Sequence, residues 1–278
     1  LGPNGAGKTT IMKMLTGYLE PSSGRIRIGG RHMATDRQAI QAGIGYLPEN
    51  CPIYPDMTVL DYLDYRAVLQ GVPAGRRTAA IREAVDRTDL GDKADALVST
   101  LSRGYRQRVG VAQAILHHPN LVILDEPTNG LDPTQILEMR GLVRELAREA
   151  TVLISTHILG EVQAVCERVL LMRRGRLALD DRLDNLGGTE RFVVTVGGGA
   201  DAALFSGLDG VGGVELREET EDRTRFAVTL EGAGDAVAPA LARAVQDRGL
   251  SLYALEPEKR TLESVFAEIN AVPEEAEE

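Results

Sequence analysis

The chain has 278 residues, of which 43% are hydrophobic and 26% are charged. This length allows two domains with separate cores, and the composition is that of an ordinary globular protein. No apolar run reaches the roughly 18 residues that a membrane-spanning helix needs, and no signal peptide is recognisable, so we expect any role at a membrane to depend on a partner.

The formal net charge of −10 is unevenly distributed along the chain. Residues 1–187 carry 23 basic and 22 acidic side chains, a net charge of +1, whereas residues 188–278 carry 8 and 19, a net charge of −11. This contrast predicts a domain boundary near Gly187 and Gly188, which separates a domain of residues 1–187 from one of residues 188–278. The acidic second part argues against a nucleic-acid partner.

A glycine-rich stretch, LGPNGAGKTT, occupies residues 1–10. Its Gly2, Gly7, Lys8 and Thr9 fit the phosphate-binding pattern G-x-x-x-x-G-K-[ST]. In such a loop several backbone N–H groups face one phosphate, the lysine reaches the β- and γ-phosphates, and the hydroxyl binds Mg²⁺. Helical spacing of the residues that follow predicts a helix from Lys8, whose positive end faces the phosphates and whose apolar face holds Ile11, Met14, Leu15 and Tyr18.

Short strands and a helical segment come next in the chain. Strands are predicted at 25–28 and 44–47. Thr58 and Asp61 fit a capping box that opens a helix, and a second helix is predicted at about 77–88. Residues 55–100 therefore form a largely helical insertion between strand-bearing stretches.

Polar residues follow two apolar strands. Leu121 to Leu124 form a continuous apolar run that ends in Asp125-Glu126-Pro127, and the strand from Thr151 to Ser155 is followed by His157. Continuous apolar strands that alternate with helices predict a parallel α/β sheet with functional groups at its carboxyl edge. There Asp125 is suited to hold Mg²⁺, Glu126 to polarise the attacking water and His157 to contact the γ-phosphate.

Each motif has an ordinary alternative when it is taken alone. The loop could be a glycine-rich turn, Asp125-Glu126-Pro127 a solvated turn, and His157 a surface histidine. Their joint occurrence in this order makes these alternatives improbable and favours a nucleoside triphosphatase.

The second half of the chain has a different order of elements. The pattern predicts strands at 192–196, 211–216, 226–230 and 250–255, with helices at 200–208 and 236–248. This β-α-β-β-α-β order suggests a ferredoxin-like unit. A helix at 262–269 and an acidic tail at 273–278, which we expect to be disordered, complete the prediction.

Four motifs, taken in their order along the chain, resemble those of ABC transporter ATP-binding subunits: GPNGAGKTT, LSRGYRQR, LVILDEPTNGLDP and STH. The resemblance covers residues 1 to about 180. YLPEN, LSRGYRQRVG and a terminal TLESVF helix are most similar to ATPases of ABC-2 exporters, in particular those of the gliding-motility and multidrug type. The implied fold is a P-loop α/β domain with a helical subdomain at about 55–100, followed by an α+β domain.

The resemblance also implies a set of site residues. Catalysis would involve Lys8, Glu126 and His157, and Mg²⁺ would be held by Thr9, Asp125 and Glu49, the last of which stands where the family has a glutamine. The subunit's own ATP would be bound by Asn4, Gly5, Ala6, Gly7, Lys8, Thr9, Thr10 and Glu49. Ser102 and Gly104 would contact the ATP bound to the second subunit, and Asp132 would contact that subunit beside the nucleotide. Arg103 and Tyr105 depart from the usual signature motif.

The family mechanism implies two partners. One is a second copy of the chain, which would close a head-to-tail dimer around ATP; the other is a separately encoded membrane permease. We expect docking at the start of the helical segment, with Tyr54, Pro55, Met57 and Val59, and a location at the cytoplasmic face of the cell membrane. The free thiols Cys51 and Cys166 agree with a reducing compartment.

Other expectations stay open at this point. One alternative is a soluble ABC protein that acts on ribosomes or DNA, and another is a P-loop kinase. Only Leu1 precedes the phosphate-binding loop, so we expect the strand and the adenine-stacking aromatic residue of the family to lie upstream, and ATP binding by these 278 residues to be weak.

Overall fold

The computed structural model describes residues 1–187, 189–231, 237–259 and 261–271. The chain divides into two compact units, Leu1–Asp180 and Asp181–Glu278. The division lies slightly before the change in charge at residues 187 and 188. None of the helices in the described ranges has the length and apolar character that crossing a membrane takes.

A parallel sheet forms the centre of the first unit. Its strands are β3 (Ile44–Leu47), β4 (Leu121–Asp125) and β5 (Thr151–Ser155), and β4 lies between the other two. The register pairs Leu47 with Leu124 and Asp125 with Ser155, so the carboxyl ends of β4 and β5 lie side by side. The predicted α/β class is confirmed, and the apolar run of β4 is explained by burial on both faces.

Further elements surround this sheet. The helices are α1 (Lys8–Leu15), α2 (Met33–Gln41), α3 (Val59–Leu69), α4 (Ala74–Arg87), α5 (Arg103–Ile115), α6 (Pro133–Leu146) and α7 (Leu159–Val165). The remaining strands are β1 (Arg27–Ile28), which pairs with β2 (Arg31–His32), and β6 (Arg168–Arg173), which pairs with β7 (Arg176–Arg182).

The helical segment has the predicted local structure. Thr58 caps α3, because its hydroxyl oxygen accepts a hydrogen bond from the Asp61 N–H at 3.1 Å. Both α3 and α4 pack against α5, and Tyr62, Leu63 and Leu90 are almost completely buried between them. α5 reaches β3 at Gly45, where an added Cβ would lie 2.1 Å from the Ala114 carbonyl oxygen. Glycine is therefore required for this close approach of helix and strand.

Two local predictions in the first unit are wrong. α1 buries Met12, whereas Tyr18 lies beyond the helix with 73% of its surface exposed. The predicted apolar face was misplaced because the helix packs through Met12 into a cluster with residues of α2 and of the sheet. α2 was not predicted, since its sequence, MATDRQAIQ, lacks a clear apolar stripe. In the structure the helix is irregular, with a non-helical backbone at Asp36.

The second unit is an antiparallel sheet with helices. Its elements are β8 (Thr189–Gly197), β9 (Val211–Glu219), β10 (Arg223–Leu230), α8 (Val237–Asp247), β11 (Leu252–Lys259) and α9 (Leu262–Ala271). The strand order is β11-β8-β10-β9, and all neighbouring strands are antiparallel.

The core of the second unit contains Phe205 and Phe226, whose rings meet edge to face. The predicted order of strands is confirmed, but the helix predicted at 200–208 is only a 3₁₀ turn, Ala202–Leu204. The acidic tail at 273–278 lies outside the described residues.

Candidate nucleotide-binding site

The loop before α1 has the backbone of a phosphate-binding loop. Gly5 and Gly7 have φ angles of 81° and 96°, a region that residues with a side chain rarely adopt. Within the described part of the chain no side chain caps the start of α1, so the first N–H groups of the helix are available for an anion. Asn4, Gly5 and Thr10 are exposed, Thr9 is partly exposed and Ala6 is buried.

Lys8 folds back over this loop. Its side chain is only 7% exposed, and Nζ donates hydrogen bonds to the carbonyl oxygens of Gly2 at 2.7 Å and Pro3 at 3.3 Å. Gly2 is itself held against β6, because an added Cβ would lie 2.5 Å from the Met172 carbonyl oxygen. The ammonium group is thus fixed at the mouth of the loop.

Glu126 and His157 meet at the carboxyl edge of the sheet. The Glu126 carboxylate lies 3.5 Å from Lys8 Nζ through Oε1 and 2.9 Å from His157 Nδ1 through Oε2. The Glu126 side chain is 7% exposed and that of His157 is 41% exposed. The structure therefore brings the three predicted catalytic residues together, with the histidine on the solvent side.

The backbone of Glu126 is in an unusual conformation. Its φ of 49° lies in the left-handed region, which costs a residue with a side chain about 1 kcal/mol or more. The conformation is held by the Glu126 N–H, which donates to the Ser155 carbonyl oxygen at 3.0 Å and lies 3.3 Å from the Ser155 hydroxyl. Strain of this kind persists where the surroundings fix it, and it is common at active sites.

Asp125 has one carboxylate oxygen that no described residue hydrogen-bonds. The residue is fully buried, Oδ1 accepts a short hydrogen bond from the Ser155 hydroxyl, and Oδ2 has no hydrogen-bond partner among the described residues. A buried carboxylate oxygen left unpaired is costly, and a hard cation would satisfy it. Sequence reasoning missed Ser155, although a hydroxyl residue directly across from Asp125 in the parallel register could have indicated it.

The predicted signature motif lies at the start of α5. Ser102 is the N-cap and accepts a hydrogen bond from the Tyr105 N–H at 3.4 Å. Gly104 is buried, and an added Cβ would lie 2.5 Å from the side-chain amide of Gln135. The Arg103 guanidinium is similarly close to Gly130, so the signature motif packs directly on the segment that leads into α6.

Asp132 belongs to that segment. It caps α6, and its Oδ1 accepts a hydrogen bond from the Gln135 N–H at 2.9 Å in a reciprocal capping box. Glu49 is exposed in the loop after β3, and its predicted role remains a prediction.

These features define a class of protein. A glycine loop at a helix N-terminus, a buried lysine and an Asp-Glu pair at the end of a parallel strand form the site of a P-loop nucleoside triphosphatase. The family model described as "ABC transporter" matches residues 1–129.

Curated relatives narrow the assignment. The chain is 35% identical to the ABC transporter ATP-binding protein YdbJ of Bacillus subtilis (strain 168), over 100% of this chain and 88% of YdbJ. It is 40% identical to the bacitracin transport ATP-binding protein BcrA of Bacillus licheniformis, over 67% and 60% of the two chains. It is 36% identical to the ABC transporter ATP-binding protein NatA of Bacillus subtilis (strain 168), over 69% and 78%.

Solved structures agree with the relatives. An ATP-binding subunit of an ABC transporter matches with a TM-score of 0.60 and 30% identity, over 67% of this chain and 78% of that one. CbiO1 of Clostridium perfringens, part of the ABC transporter complex CbiONQ, matches with a TM-score of 0.59 and 32% identity, over 66% and 75%. The chain belongs to the family of ABC transporter ATP-binding subunits, which are ATPases, and the relatives favour a transporter ATPase over a soluble ABC protein.

Proposed function

We propose that this chain binds and hydrolyses ATP to power a membrane exporter of the ABC-2 type, as one half of a head-to-tail dimer. The observation that carries the proposal is the cluster of Lys8, Glu126 and His157 at the N-terminus of α1. Electrostatic stabilisation and the positioning of water are the main tasks in phosphoryl transfer, and this cluster offers groups for both.

Each residue of the cluster has a distinct proposed role. Lys8 and the loop N–H groups bind the β- and γ-phosphates. Glu126 accepts a proton from the attacking water. Because Lys8 binds the phosphates, the present contact between the Glu126 carboxylate and Lys8 must break when ATP binds. Since a carboxylate is an acceptor, His157 Nδ1 carries a proton in the 2.9 Å contact, and Nε2 donates to a γ-phosphate oxygen when the ring is protonated on both nitrogens.

The residues at the sheet edge fit Mg²⁺. The unpaired Asp125 Oδ2 and the partly exposed Thr9 hydroxyl are oxygen ligands of the kind that Mg²⁺ takes together with phosphate oxygens. When bound, the ion supplies positive charge that neutralises the phosphates.

The second half of the site is proposed to come from another copy of the chain. Ser102 is exposed at the N-terminus of α5, where a hydroxyl and free N–H groups can meet a phosphate. Asp132 is exposed as well, and it lies on the segment that packs against the signature motif.

The permease is proposed to dock on the helical segment. Tyr54 and Leu69 are 52% and 59% exposed, and Leu69 lines a cavity of about 390 Å³ together with residues of α3 and β3. Val59 was predicted to belong to this surface, but it is completely buried, so that expectation is wrong. Docking there would place the chain at the cytoplasmic face of a membrane.

Mixing two inactive variants tests the split site. Lys8→Ala removes the phosphate-binding lysine, and Ser102→Arg blocks the signature motif, so each variant alone should lose at least nine tenths of its ATPase activity. In a mixed dimer, one of the two sites combines an intact loop with an intact Ser102. About half of the dimers in an equimolar mixture are mixed, so the mixture should regain about a quarter of the wild-type activity. A mixture that stays as inactive as its components contradicts the head-to-tail site.

A further inference from the structure

A buried glutamate outside the predicted motifs joins the ends of β4 and β5. Glu161 lies in the first turn of α7, and only 4% of its surface is exposed. Both carboxylate oxygens are used: Oε1 accepts a short hydrogen bond from the Thr128 hydroxyl, and Oε2 accepts one from the Thr156 hydroxyl at 2.7 Å. An acid at this position of a helix commonly turns back to the N-cap backbone, but the carboxylate of Glu161 accepts from two threonine hydroxyls, one five residues earlier in the chain and one 33 residues earlier.

The two threonines flank the residues of the candidate active site. Thr128 follows Glu126 by two positions, and Thr156 directly precedes His157. Both threonines are buried, with 6% and 2% of their surfaces exposed. The Thr156 hydroxyl also accepts from the Ile158 N–H at 3.1 Å, so its proton is directed to Glu161.

These contacts close a ring through the site. One side of the ring is the 2.9 Å contact between Glu126 and His157, and the other is the pair of hydroxyl bonds to Glu161. The ring contains the strained backbone of Glu126, which must be fixed by its surroundings to persist. A single carboxylate thus sets the spacing of two turns that carry functional side chains.

We propose that Glu161 is a positioning residue for ATP hydrolysis, which holds Glu126 and His157 in register through the Thr128 and Thr156 hydroxyls. The proposal rests on the proposed function of the site. Glu161 is not in the phosphate-binding loop, so its loss should slow the chemical step and leave ATP binding unchanged.

Glu161→Gln is the first test, since it keeps the shape of the side chain and replaces one acceptor oxygen by a donor group. We expect the kcat of ATP hydrolysis by the full chain to fall at least tenfold, while the KM for ATP stays within twofold. Glu145→Gln, an exposed carboxylate at the end of α6, is the matched control and should keep the wild-type kcat.

The threonines supply a conservative rescue. Thr128→Val and Thr156→Val remove a hydroxyl without changing the shape, and each should lower kcat as Glu161→Gln does. Thr128→Ser and Thr156→Ser keep the hydroxyl and should stay within threefold of wild type. Combining Glu161→Gln with Thr128→Val should cost little more than either change alone. Thr88→Val, which removes a buried hydroxyl in the helical segment, is the control and should keep kcat.

The outcomes separate this proposal from the proposed function. If wild type hydrolyses ATP and Lys8→Ala does not, a kcat of Glu161→Gln within threefold of wild type, or a rise in KM alone, overturns the positioning role. If Glu161→Gln loses its cooperative thermal transition, the Val and Ser variants of Thr128 and Thr156 provide the test. The positioning role is then overturned if the Val variants keep a kcat within threefold of wild type. A wild-type chain without ATPase activity, or one whose activity survives Lys8→Ala, overturns the proposed function, and the positioning role falls with it.

Discussion

At the scale of single residues, burial determines which groups can change their charge. His117 lies in the turn that follows α5, and its Nε2 donates a hydrogen bond to the Ile44 carbonyl oxygen at 3.1 Å. Burial is the main cause that lowers the pKa of His117 from its ordinary value of 6.5, and the neighbouring Arg66 and His118 oppose its protonation as well. By the same cause, burial raises the pKa of Cys51 to about 11, so this thiol stays protonated at neutral pH.

The lowered pKa of His117 predicts a loss of stability in mild acid. Below about pH 6.5 the unfolded chain binds this proton more readily than the folded chain does, so the free energy of unfolding falls until the folded pKa is reached. We expect the urea midpoint to fall less between pH 7.5 and pH 5.5 in His117→Asn than in wild type. His32→Asn, at a histidine that is not among the groups acting on His117, is the control and should keep the wild-type fall. An equal fall in His117→Asn and wild type would contradict the expectation.

At the scale of elements, the patterns that predicted structure are those in which local and tertiary requirements agree. β4 was predictable because a strand buried on both faces must be continuously apolar, and β5 was predictable from its own apolar run, although Val152, Leu153 and Ile154 are only half-buried. α3 was predictable from its cap at Thr58.

Other elements depend on contacts that a single sequence does not reveal. α2 packs into the cluster around Met12, and the segment predicted as a helix at 200–208 is a single 3₁₀ turn followed by the buried Phe205. The same holds for the bond of Ser155 to Asp125 and the bond of Glu161 to Thr128, whose partners are 30 and 33 positions apart in the chain. Motif order predicted the residues of the site, whereas their mutual support could be found only in three dimensions.

The close approach of α5 to β3 gives a test at this scale. In Gly45→Ala the new Cβ would meet the Ala114 carbonyl oxygen at 2.1 Å, so strand or helix must shift. We expect a loss of about 2 kcal/mol in the free energy of unfolding, as is typical of overpacked cores. Gly43→Ala is the matched control, because its nearest atom would be at an ordinary 3.5 Å. Denaturant unfolding that shows equal stability for both variants would contradict this account of the packing.

At the scale of the whole molecule, the proposed cycle depends on two copies of the chain. The loop at residues 1–10 forms one half of the site, and the exposed start of α5 is proposed to complete the site of a partner. We infer that the second unit, Asp181–Glu278, is an accessory module with its own core, and its acidic charge distinguishes it from the ATPase unit.

The most direct test of the central claim is ATP turnover and dimer formation by Glu126→Gln. The variant keeps the phosphate-binding loop but lacks the proposed base, so ATP should bind with wild-type affinity, turnover should fall at least 100-fold, and sedimentation should show a dimer that forms only with ATP. Glu149→Gln, an exposed carboxylate outside the site, is the control. Wild-type turnover in Glu126→Gln, or a monomer that persists at saturating ATP, would contradict the account.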